Sequence, residues 1–544
     1  MIENIILEQK KQLEEEKRLA DKRAKQLFNL FPYVNIKTYK AKGDGVADDT
    51  EAFLAAITYL IACGGGILFL PLGIYLVSAK ISIPDNIMIM GQGWCSWIKS
   101  PTLNDNVFEL DGVSNVFLKD FKISGTNNPA HTTNRLIGIW DACSDILIER
   151  VYAMQSGRNA FVVNQTAGST SATNIWFKHC IAIENQFNGF FMNGAKDSGI
   201  VYSKAINNGQ SDLNGFGIMM DCYYQNICQD VKIGFNKIVG NGEGGLGLWG
   251  GKHIDIIFNN ISENGESGWS AGNGNGIRID VKEIDSTEMR PEHIYIFINT
   301  INKNYNIGLL GEGLNYSKIL FNDVFNNAYN NSENRTGILL RPSDEVYDNC
   351  FYNKVFFNTV IRDDANSKQD FGIELLSNSG REAKFNIIGF NHARGNITAS
   401  FNSDCQEQNV VFDMDDDLGL IRTRCFGFGG CGAATIDGQA KTTAAVNYEI
   451  QGKVYAKAAT DNLWDLTGVS TGANEYKKVL LCLRTDGAGR IVEGKVAATQ
   501  ANALLPTLGR NLYAVVGVVE IPQNYSGGSL AGYTFYDLTG EYRR

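Results

Sequence analysis

The middle of this 544-residue sequence contains side chains that could act together on a sugar polymer. The candidates for acid–base catalysis are the carboxylates Asp221, Glu243, Glu266 and Asp280. The candidates for holding a substrate are the aromatic and cationic residues Tyr223, Trp249, Trp269, Arg278 and Arg341. Two carboxyl groups can serve as acid and base in glycoside hydrolysis, and an indole offers a flat apolar face to a sugar ring. These residue types predict glycan cleavage if the fold brings them to one surface.

A repeat in the sequence indicates which of these residues share a surface. A glycine followed by apolar residues recurs at Gly189, Gly217, Gly245, Gly276, Gly308, Gly337 and Gly372, in steps of 28, 28, 31, 32, 29 and 35 residues. Each repeat holds two further short strand-like segments, such as 254–258 and 260–264, joined by Asn and Gly. Helical solenoids need two long segments per repeat, so the pattern predicts a parallel β-helix. Stacked Asn side chains can form hydrogen-bonded ladders between its coils.

Alignment of the glycine strands predicts a row of outward side chains. With Ile277 and Ile279 pointing into the core, Arg278 and Asp280 point outward, because side chains alternate along a strand. The residues level with Asp280 are then Trp249 one coil earlier, Asp221 two coils earlier and Arg341 two coils later. Glu243, Glu266 and Trp269 fall in the turns that precede these strands.

The spacing of two carboxylates on such a surface predicts the stereochemistry of hydrolysis. Carboxylates one coil apart are separated by about 5 Å, which fits a retaining mechanism. Carboxylates two coils apart are separated by about 9.6 Å, which is near the inverting range. Asp221 and Asp280 belong to the second group, so hydrolysis with inversion is the leading mechanism.

Lyase chemistry is the alternative for the same surface. It would remove the proton next to a uronate carboxylate, with a tyrosine or histidine as the base and an arginine neutralising the carboxylate. Candidate bases are Tyr223, Tyr224, His253 and His293, and candidate cations are Arg278 and Arg341. The charged insertion at 282–293 could wall one side of the groove.

The segment 34–77 carries the most specific motif. Tyr39 and Ala41 are followed by Gly43-Asp44-Gly45, then Asp48-Asp49-Thr50, an apolar helix, three glycines, a strand and Pro71. This order resembles the opening of the pectate-lyase superfamily of right-handed β-helix proteins, which many bacteriophage tailspikes share. Asp49 or Thr50 is expected to cap the helix, which would cover the open end of the solenoid, and the three aspartates are read as structural.

Three domains follow from these patterns. Residues 1–30 predict a helical attachment segment, because 3–23 contain no Gly or Pro. Residues 31–413 predict the capping helix and a right-handed β-helix of about 12 coils. Residues 414–544 begin with an acidic and glycine-rich boundary at 414–432 and predict a β-domain for trimerisation, carbohydrate binding or both. The fold class is all-β.

Composition excludes several classes of function. The net charge of −10 argues against nucleic-acid binding, and no segment is long and apolar enough to insert into a membrane. The 11 cysteines form no CxxC pair, and most are expected to be small buried residues of a chain made in a reducing cytoplasm. No metal site and no cofactor are expected.

The resemblance implies a bacteriophage tailspike or depolymerase. Such a protein would bind and cleave a bacterial surface polysaccharide such as capsule, exopolysaccharide or O-antigen. It would be a homotrimer in the phage virion, made in the host cytoplasm and joined to the tail or a neighbouring spike protein through its N-terminal helix. A non-catalytic receptor-binding spike and a bacterial lyase-like or epimerase enzyme are the alternatives.

Overall fold

The computed structural model describes most of residues 32–412 and ten short segments beyond them. The described ranges are 32–210, 215–223, 226–265, 274–284, 287–329, 335–343, 350–364, 366–377, 381–403, 405 and 409–412, then 423–426, 431–433, 439–442, 446–450, 453–457, 464–466, 477–483, 489–493, 514–521 and 535–537. The predicted helix at 1–30 lies outside them. The chain divides into two compact units, Met1–Asn402 with Val410–Met414, and Ser403–Asn409 with Asp415–Arg544.

The first unit is a right-handed parallel β-helix in which each full coil contributes one strand to each of three faces. We call the face of the glycine strands face 1, and the two faces that follow it along each coil face 2 and face 3. Face 1 holds 12 strands, which confirms the predicted number of coils. They are Ile81–Ser82, Asn106–Asp111, Arg135–Trp140, Phe161–Asn164, Phe190–Asn193, Phe216–Asp221, Gly244–Trp249, Asn275–Asp280, Leu309–Glu312, Thr336–Arg341, Phe371–Leu375 and Ala399–Ser403.

Faces 2 and 3 form one continuous sheet, because the long strands Ser114–Ser124 and Ser144–Met154 cross both. The other strands of face 2 are Tyr33–Asn35, Gly66–Leu70, Ile87–Gly91, Thr173–Lys178, Gly199–Val201, Gln229–Gly234, Lys252–Ile257, Tyr295–Phe297, Lys318–Leu320, Lys354–Phe356, Ile387–Gly389 and Val410–Phe412. The other strands of face 3 are Asp44–Asp48, Gly73–Leu76, Ser96–Lys99, Ile181–Ile183, Lys204–Ile206, Lys237–Val239, Asn260–Ser262, Thr300–Asn302, Asp323–Phe325, Thr359–Ile361 and His392–Arg394.

Two short strand pairs and two 3₁₀ turns complete the first unit. Lys282–Ile284 and Thr287–Met289 form an antiparallel hairpin directly after the face 1 strand Asn275–Asp280. Cys350–Phe351 and Ala383–Lys384 pair in parallel, and the 3₁₀ turns are Ile36–Tyr39 and Gly93–Cys95. The hairpin falls within the charged insertion that the sequence indicated beside the candidate site.

Aliphatic side chains from all three faces fill the interior, and buried asparagines line its corners. The asparagines form two columns in which each side-chain N–H donates to the next Oδ1 at 2.7–3.0 Å. This confirms the predicted ladders. The columns are Asn185, Asn208, Asn241, Asn264, Asn304 and Asn327, and Asn236, Asn259, Asn299, Asn322, Asn358 and Asn391.

Helix α1, Thr50–Ala62, lies at the start of the solenoid. Its Phe53 is fully buried between the rings of Tyr75 and Phe108, with centroids 6.2 and 6.1 Å away. The expected cap is wrong in detail, because Asp49 makes no side-chain hydrogen bond to the helix N-terminus. Its carboxylate instead accepts the backbone N–H groups of residues 42 and 43, while Asp48 Oδ1 accepts Thr50 N at 2.9 Å. Asp48 and Asp49 therefore have a structural role, because their carboxylates bind the backbone of the loop and of the helix start.

The second unit is described as three antiparallel sheets. The first is Thr423–Phe426, Val446–Ile450 and Lys453–Lys457, and the second is Cys431–Ala433, Gln439–Thr442 and Trp464–Asp465. The third is Gly489–Glu493, Lys477–Leu483, Ala514–Ile521 and Phe535–Asp537. The antiparallel pairing of these sheets distinguishes them from the parallel sheets of the solenoid.

Most described cysteines are buried and none forms a disulfide. Of the eight cysteines whose side chains the structure describes, only Cys63 and Cys95 are exposed. Within that part, no helix is long and apolar enough to cross a membrane. No cluster of three or more potential metal ligands of the His, Cys, Asp or Glu type occurs among the described residues.

Candidate active site

A row of mostly polar side chains crosses the middle coils at the C-terminal end of the face 1 strands. The strand register pairs Trp249 with Asp280 and places Asp221 one coil before Trp249. On the other side, the register of the next two strands continues the row to Arg341. The alignment of the glycine strands is therefore confirmed for these four residues. In chain order the row is Asn164, Asn193, Asp221, Trp249, Asp280, Glu312 and Arg341.

Glu312 is the carboxylate of this row that the sequence did not predict, and Asn164 and Asn193 were not predicted either. It is the fourth residue after Gly308, just as Asp280 is the fourth residue after Gly276, so the repeat itself held the signal. Asp280 and Glu312 are thus neighbours on successive strands, separated by about 5 Å along the solenoid.

Asp280 is an outward residue that is nevertheless 96% buried, with 4% of its surface exposed. Its Oδ1 accepts the backbone N–H of Val281 at 2.8 Å and the hydroxyl of Ser343 at 3.0 Å, and Arg278 Nη2 lies 3.0 Å from its Oδ2. Burial and the charge of Glu312 raise the pKa of Asp280 to about 7, although Arg278 acts in the opposite direction. Asp280 can therefore hold a proton near neutral pH.

The carboxylate of Glu312 is paired with the guanidinium groups of two arginines. Arg341 Nη2 and Nε lie 2.6 and 2.8 Å from Glu312 Oε1, and Arg278 Nη2 lies 3.4 Å from Oε2. Its side chain is 2% exposed. Because it is buried and paired in this way, Glu312 is suited to tune Asp280 and to orient both arginines rather than to contact a substrate.

Asp221 lies at the other end of the group with a lysine and a tyrosine. Lys282 Nζ, from the hairpin, lies 3.8 Å from Asp221 Oδ1 and 5.2 Å from the centre of the Tyr223 ring. Burial raises the pKa of Asp221, and Lys282 opposes that rise. Burial and the charge of Asp221 raise the pKa of Tyr223 to about 12. The hairpin thus supplies a cation to the site, and Lys282 was not among the sequence candidates.

Trp249 stands between Asp221 and Asp280. A side chain at Gly247 would meet the indole Cζ3 at 2.3 Å, so the ring lies directly over this glycine. The ring also packs edge-on against Phe216 at 5.3 Å, and the Arg278 guanidinium lies 5.6 Å from its centre. The half-buried indole provides a flat surface between two carboxylates.

Glu243 approaches the group from the turn before the strand of Trp249. Burial raises its pKa to about 7, and Arg278 partly offsets this rise. Glu266, Trp269 and Tyr224 lie outside the described residues. His253 lies in the face 2 strand Lys252–Ile257, and His293 lies in the turn before the next strand of that face. Their rings stand 5.2 Å apart, and His253 Nδ1 is 3.3 Å from Asp230. The structure does not bring these two histidines to face 1.

The arrangement can support acid–base chemistry on a bound sugar. Asp280, with a pKa of about 7, can donate a proton, and Asp221 is the second carboxyl group, whose ionised form Lys282 favours against the effect of burial. They are two strand spacings apart, about 9.6 Å, which is near the carboxyl separation of inverting glycosidases.

Comparisons with known proteins agree with this architecture. Residues 33–287 match the family model described as rhamnogalacturonase A/epimerase, pectate lyase-like. The preneck appendage protein of Bacillus phage PZA is 26% identical over 212 residues, which are 33% of this chain and 24% of the phage protein. A mannuronan C5-epimerase of Azotobacter vinelandii is 26% identical over 239 residues, 39% of this chain and 22% of the enzyme. The match thus spans less than a quarter of either relative.

A solved tailspike has the same fold. The Dettilon tailspike protein aligns with 91% of this chain and 92% of its own chain, with a TM-score of 0.52 and 14% sequence identity. At this identity the likeness concerns the fold alone. Residues 33–287 of the β-helix thus match a pectate-lyase-like family model, and the parallel coils have the fold of right-handed β-helix proteins.

Proposed function

We propose that this protein is a phage virion component that binds a bacterial surface polysaccharide along face 1 and hydrolyses it. The observation that carries the proposal is the row in which Asp221, Trp249 and Asp280 stand on three successive coils. The similarity to a phage appendage protein and to a polysaccharide-modifying epimerase supports the virion setting and the class of substrate.

In the proposed reaction, a sugar ring stacks on Trp249 with its glycosidic oxygen near Asp280. Asp280 protonates the leaving oxygen while Asp221 takes a proton from a water molecule that attacks the anomeric carbon from the opposite side. The glycosidic C–O bond breaks, the new C–O bond forms, and the anomeric configuration inverts. Glu312 acts as a positioning residue, because its charge keeps Asp280 protonated and its carboxylate holds the two arginines.

Lyase chemistry remains the second candidate for the same groove. Its base would have to lose a proton near neutral pH, and the raised pKa of Tyr223 works against that role. The positions of His253 and His293 at face 2, away from face 1, also disfavour them as bases. Hydrolysis is therefore the better-supported reaction, and the products distinguish the two.

The test is incubation of the full chain with capsule or lipopolysaccharide from the bacterial host. Hydrolysis releases reducing ends without the ultraviolet absorbance of an unsaturated uronate, whereas a lyase produces both. We expect Asp280→Asn and Asp221→Asn each to reduce kcat by about 100-fold or more. Asp255→Asn, at a half-buried aspartate on face 2, is the matched control and should retain full activity. Binding without cleavage would point to a non-catalytic receptor-binding spike.

The assembly is proposed to be a homotrimer attached to a phage tail. The N-terminal segment 1–30 is proposed to join the tail or a neighbouring spike protein, and the second unit to hold the trimer together or to bind carbohydrate. Apolar rings exposed beside face 2 support contact between copies of the chain.

A further inference from the structure

Two arginines stand near one another on face 1, several coils before the candidate active site. Arg135 begins the strand Arg135–Trp140, and Arg158 lies in the turn of the next coil. The Arg135 guanidinium is 5.3 Å from the centre of the Trp140 ring, and that of Arg158 is 5.2 Å from the centre of the Phe187 ring. All four side chains are half-buried. The aromatic rings therefore fix both cations at the surface of the groove.

Neither arginine has an ion-pair partner among the residues that the structure describes. The nearest carboxylates, Asp105 and Glu109, are occupied by Lys80, whose Nζ lies 3.9 and 2.7 Å from them. Each arginine donates from Nη1 to one backbone carbonyl at 3.1 Å, that of Thr133 for Arg135 and that of Thr132 for Arg158. The Nε of Arg158 is buried without an acceptor. The pair thus has donor groups that an oxyanion could satisfy.

The active-site arginines differ from this pair in having carboxylate partners. Arg278 and Arg341 are both held by carboxylates of the row, so their charge is already compensated. At Arg135, burial and the neighbouring charge of Arg158 lower the pKa of the guanidinium to about 10. An anion between two such cations would relieve their repulsion and form charge-assisted hydrogen bonds. This is the local chemistry of a carboxylate-binding pair.

Trp140 repeats the geometry of Trp249 at this second place. A side chain at Gly138 would meet Trp140 Nε1 at 2.7 Å, so this indole also lies over a glycine two residues before it. Trp140 occupies the same row as Asp280, five strand spacings earlier, which is about 24 Å along the solenoid. Face 1 is continuous between them, and a polymer lying along the axis would reach both.

We propose that Arg135, Arg158 and Trp140 form a subsite for a sugar that carries a carboxylate, so that the polysaccharide held on face 1 contains uronate residues. The sugar ring lies against Trp140, and its carboxylate accepts hydrogen bonds from the two guanidinium groups. This inference rests on the proposed function, because both need a glycan on face 1, but it concerns recognition and not cleavage.

The test measures equilibrium binding to the full chain carrying Asp280→Asn, so that no probe is cleaved. The probes are oligomers of polymannuronate and polygalacturonate, and the same oligomers after reduction of their carboxyl groups to alcohols. We expect the uronate oligomers to bind at least about tenfold more tightly than the reduced ones, as charge-assisted bonds to two guanidinium groups require. Adding Arg135→Gln and Arg158→Gln should remove this preference.

Arg150→Gln is the matched control, because Arg150 is exposed and held by Asp120 at 2.6 Å and by Glu149 at 2.6 Å. It should leave the preference unchanged, and thermal unfolding should show that each variant is folded. The inference is overturned if no uronate oligomer binds, if reduced and unreduced oligomers bind alike, or if the Arg135/Arg158 double substitution keeps the preference. Cleavage of host polysaccharide by the unsubstituted chain is scored separately, so preference without cleavage overturns only the proposed hydrolysis.

Discussion

Whether Asp280 is protonated depends on the neighbouring carboxylate of Glu312. Two carboxyl groups on adjacent strands cannot both ionise at little cost when they are buried, and Glu312 is the one held by two arginines. The proton therefore stays on Asp280, where burial and Glu312 raise the pKa to about 7. A general acid works while it is protonated, so kcat/KM should fall as pH rises through this value.

Glu312→Gln should shift that falling limb to lower pH. The substitution removes the like charge and leaves Arg278 to stabilise the ionised form, and both effects lower the pKa of Asp280. The measurement is the pH dependence of kcat/KM. The control is Glu374→Gln, because Glu374 is also a buried glutamate of face 1 but bonds to Thr336 and Asn402. An unchanged limb in Glu312→Gln would show that Glu312 does not control Asp280.

For individual residues, the sequence predicted which side chains lie level on face 1 better than it predicted how deeply each one is buried. The glycine period was enough to place Asp221, Trp249 and Asp280 level, because a parallel ladder transmits register from coil to coil. The burial of Asp280 was not predictable from the period. It depends on Ser343, which lies 63 residues further along the chain and reaches Asp280 only once the later coils are stacked.

Among the structural elements, the asparagine columns link the coils most directly. Asn299 donates to Asn322 Oδ1 at 2.9 Å and to the carbonyl of Ile256 at 2.8 Å, and its Oδ1 accepts the side-chain N–H of Asn259 at 2.9 Å. All of these groups are buried, so removal of one amide leaves polar atoms of the coils above and below without partners.

Asn299→Ala should lower the free energy of unfolding by on the order of 3 kcal/mol, because several buried partners lose their hydrogen bonds together. Chemical denaturation monitored by circular dichroism measures the effect. Asn260→Ala, at an exposed position on face 3 of the adjacent coil, should change it by less than about 0.5 kcal/mol. Equal effects of the two substitutions would mean that the column contributes little.

The sequence predicted these columns because Asn recurs in the turns that join the short strands of each repeat. It did not predict how the aspartates before helix α1 would be used. The Asp49 carboxylate accepts the backbone N–H groups of residues 42 and 43. The Asp48 carboxylate accepts the N–H of Thr50 in the first turn of the helix instead. Several nearby donors compete for a short carboxylate, and the tertiary path of the loop decides which ones it meets.

For the whole molecule, the exterior beside face 2 carries an unusual number of aromatic rings. Tyr316 and Tyr352 stack at 5.1 Å before the face 2 strands, and Phe357 and Phe390 stack at 5.3 Å after them. Tyr316, Tyr352 and Phe357 are 50, 45 and 44% exposed. Exposed aromatic rings grouped in this way are typical of a surface that another chain covers, and the proposed homotrimer would supply that chain.

The full chain should therefore sediment at three times its mass of 59.9 kDa. The combined substitutions Tyr352→Glu and Phe357→Glu place charges within the stacked rings, so a trimer that buries this surface should dissociate, because an unpaired charge is costly to desolvate at an interface. Ile61→Glu, at a 56% exposed apolar residue of helix α1, is the control and should remain trimeric. Analytical ultracentrifugation distinguishes the species. A trimer that survives the double substitution would place the essential contacts elsewhere in the chain, and a monomeric unsubstituted chain would contradict the assembly altogether.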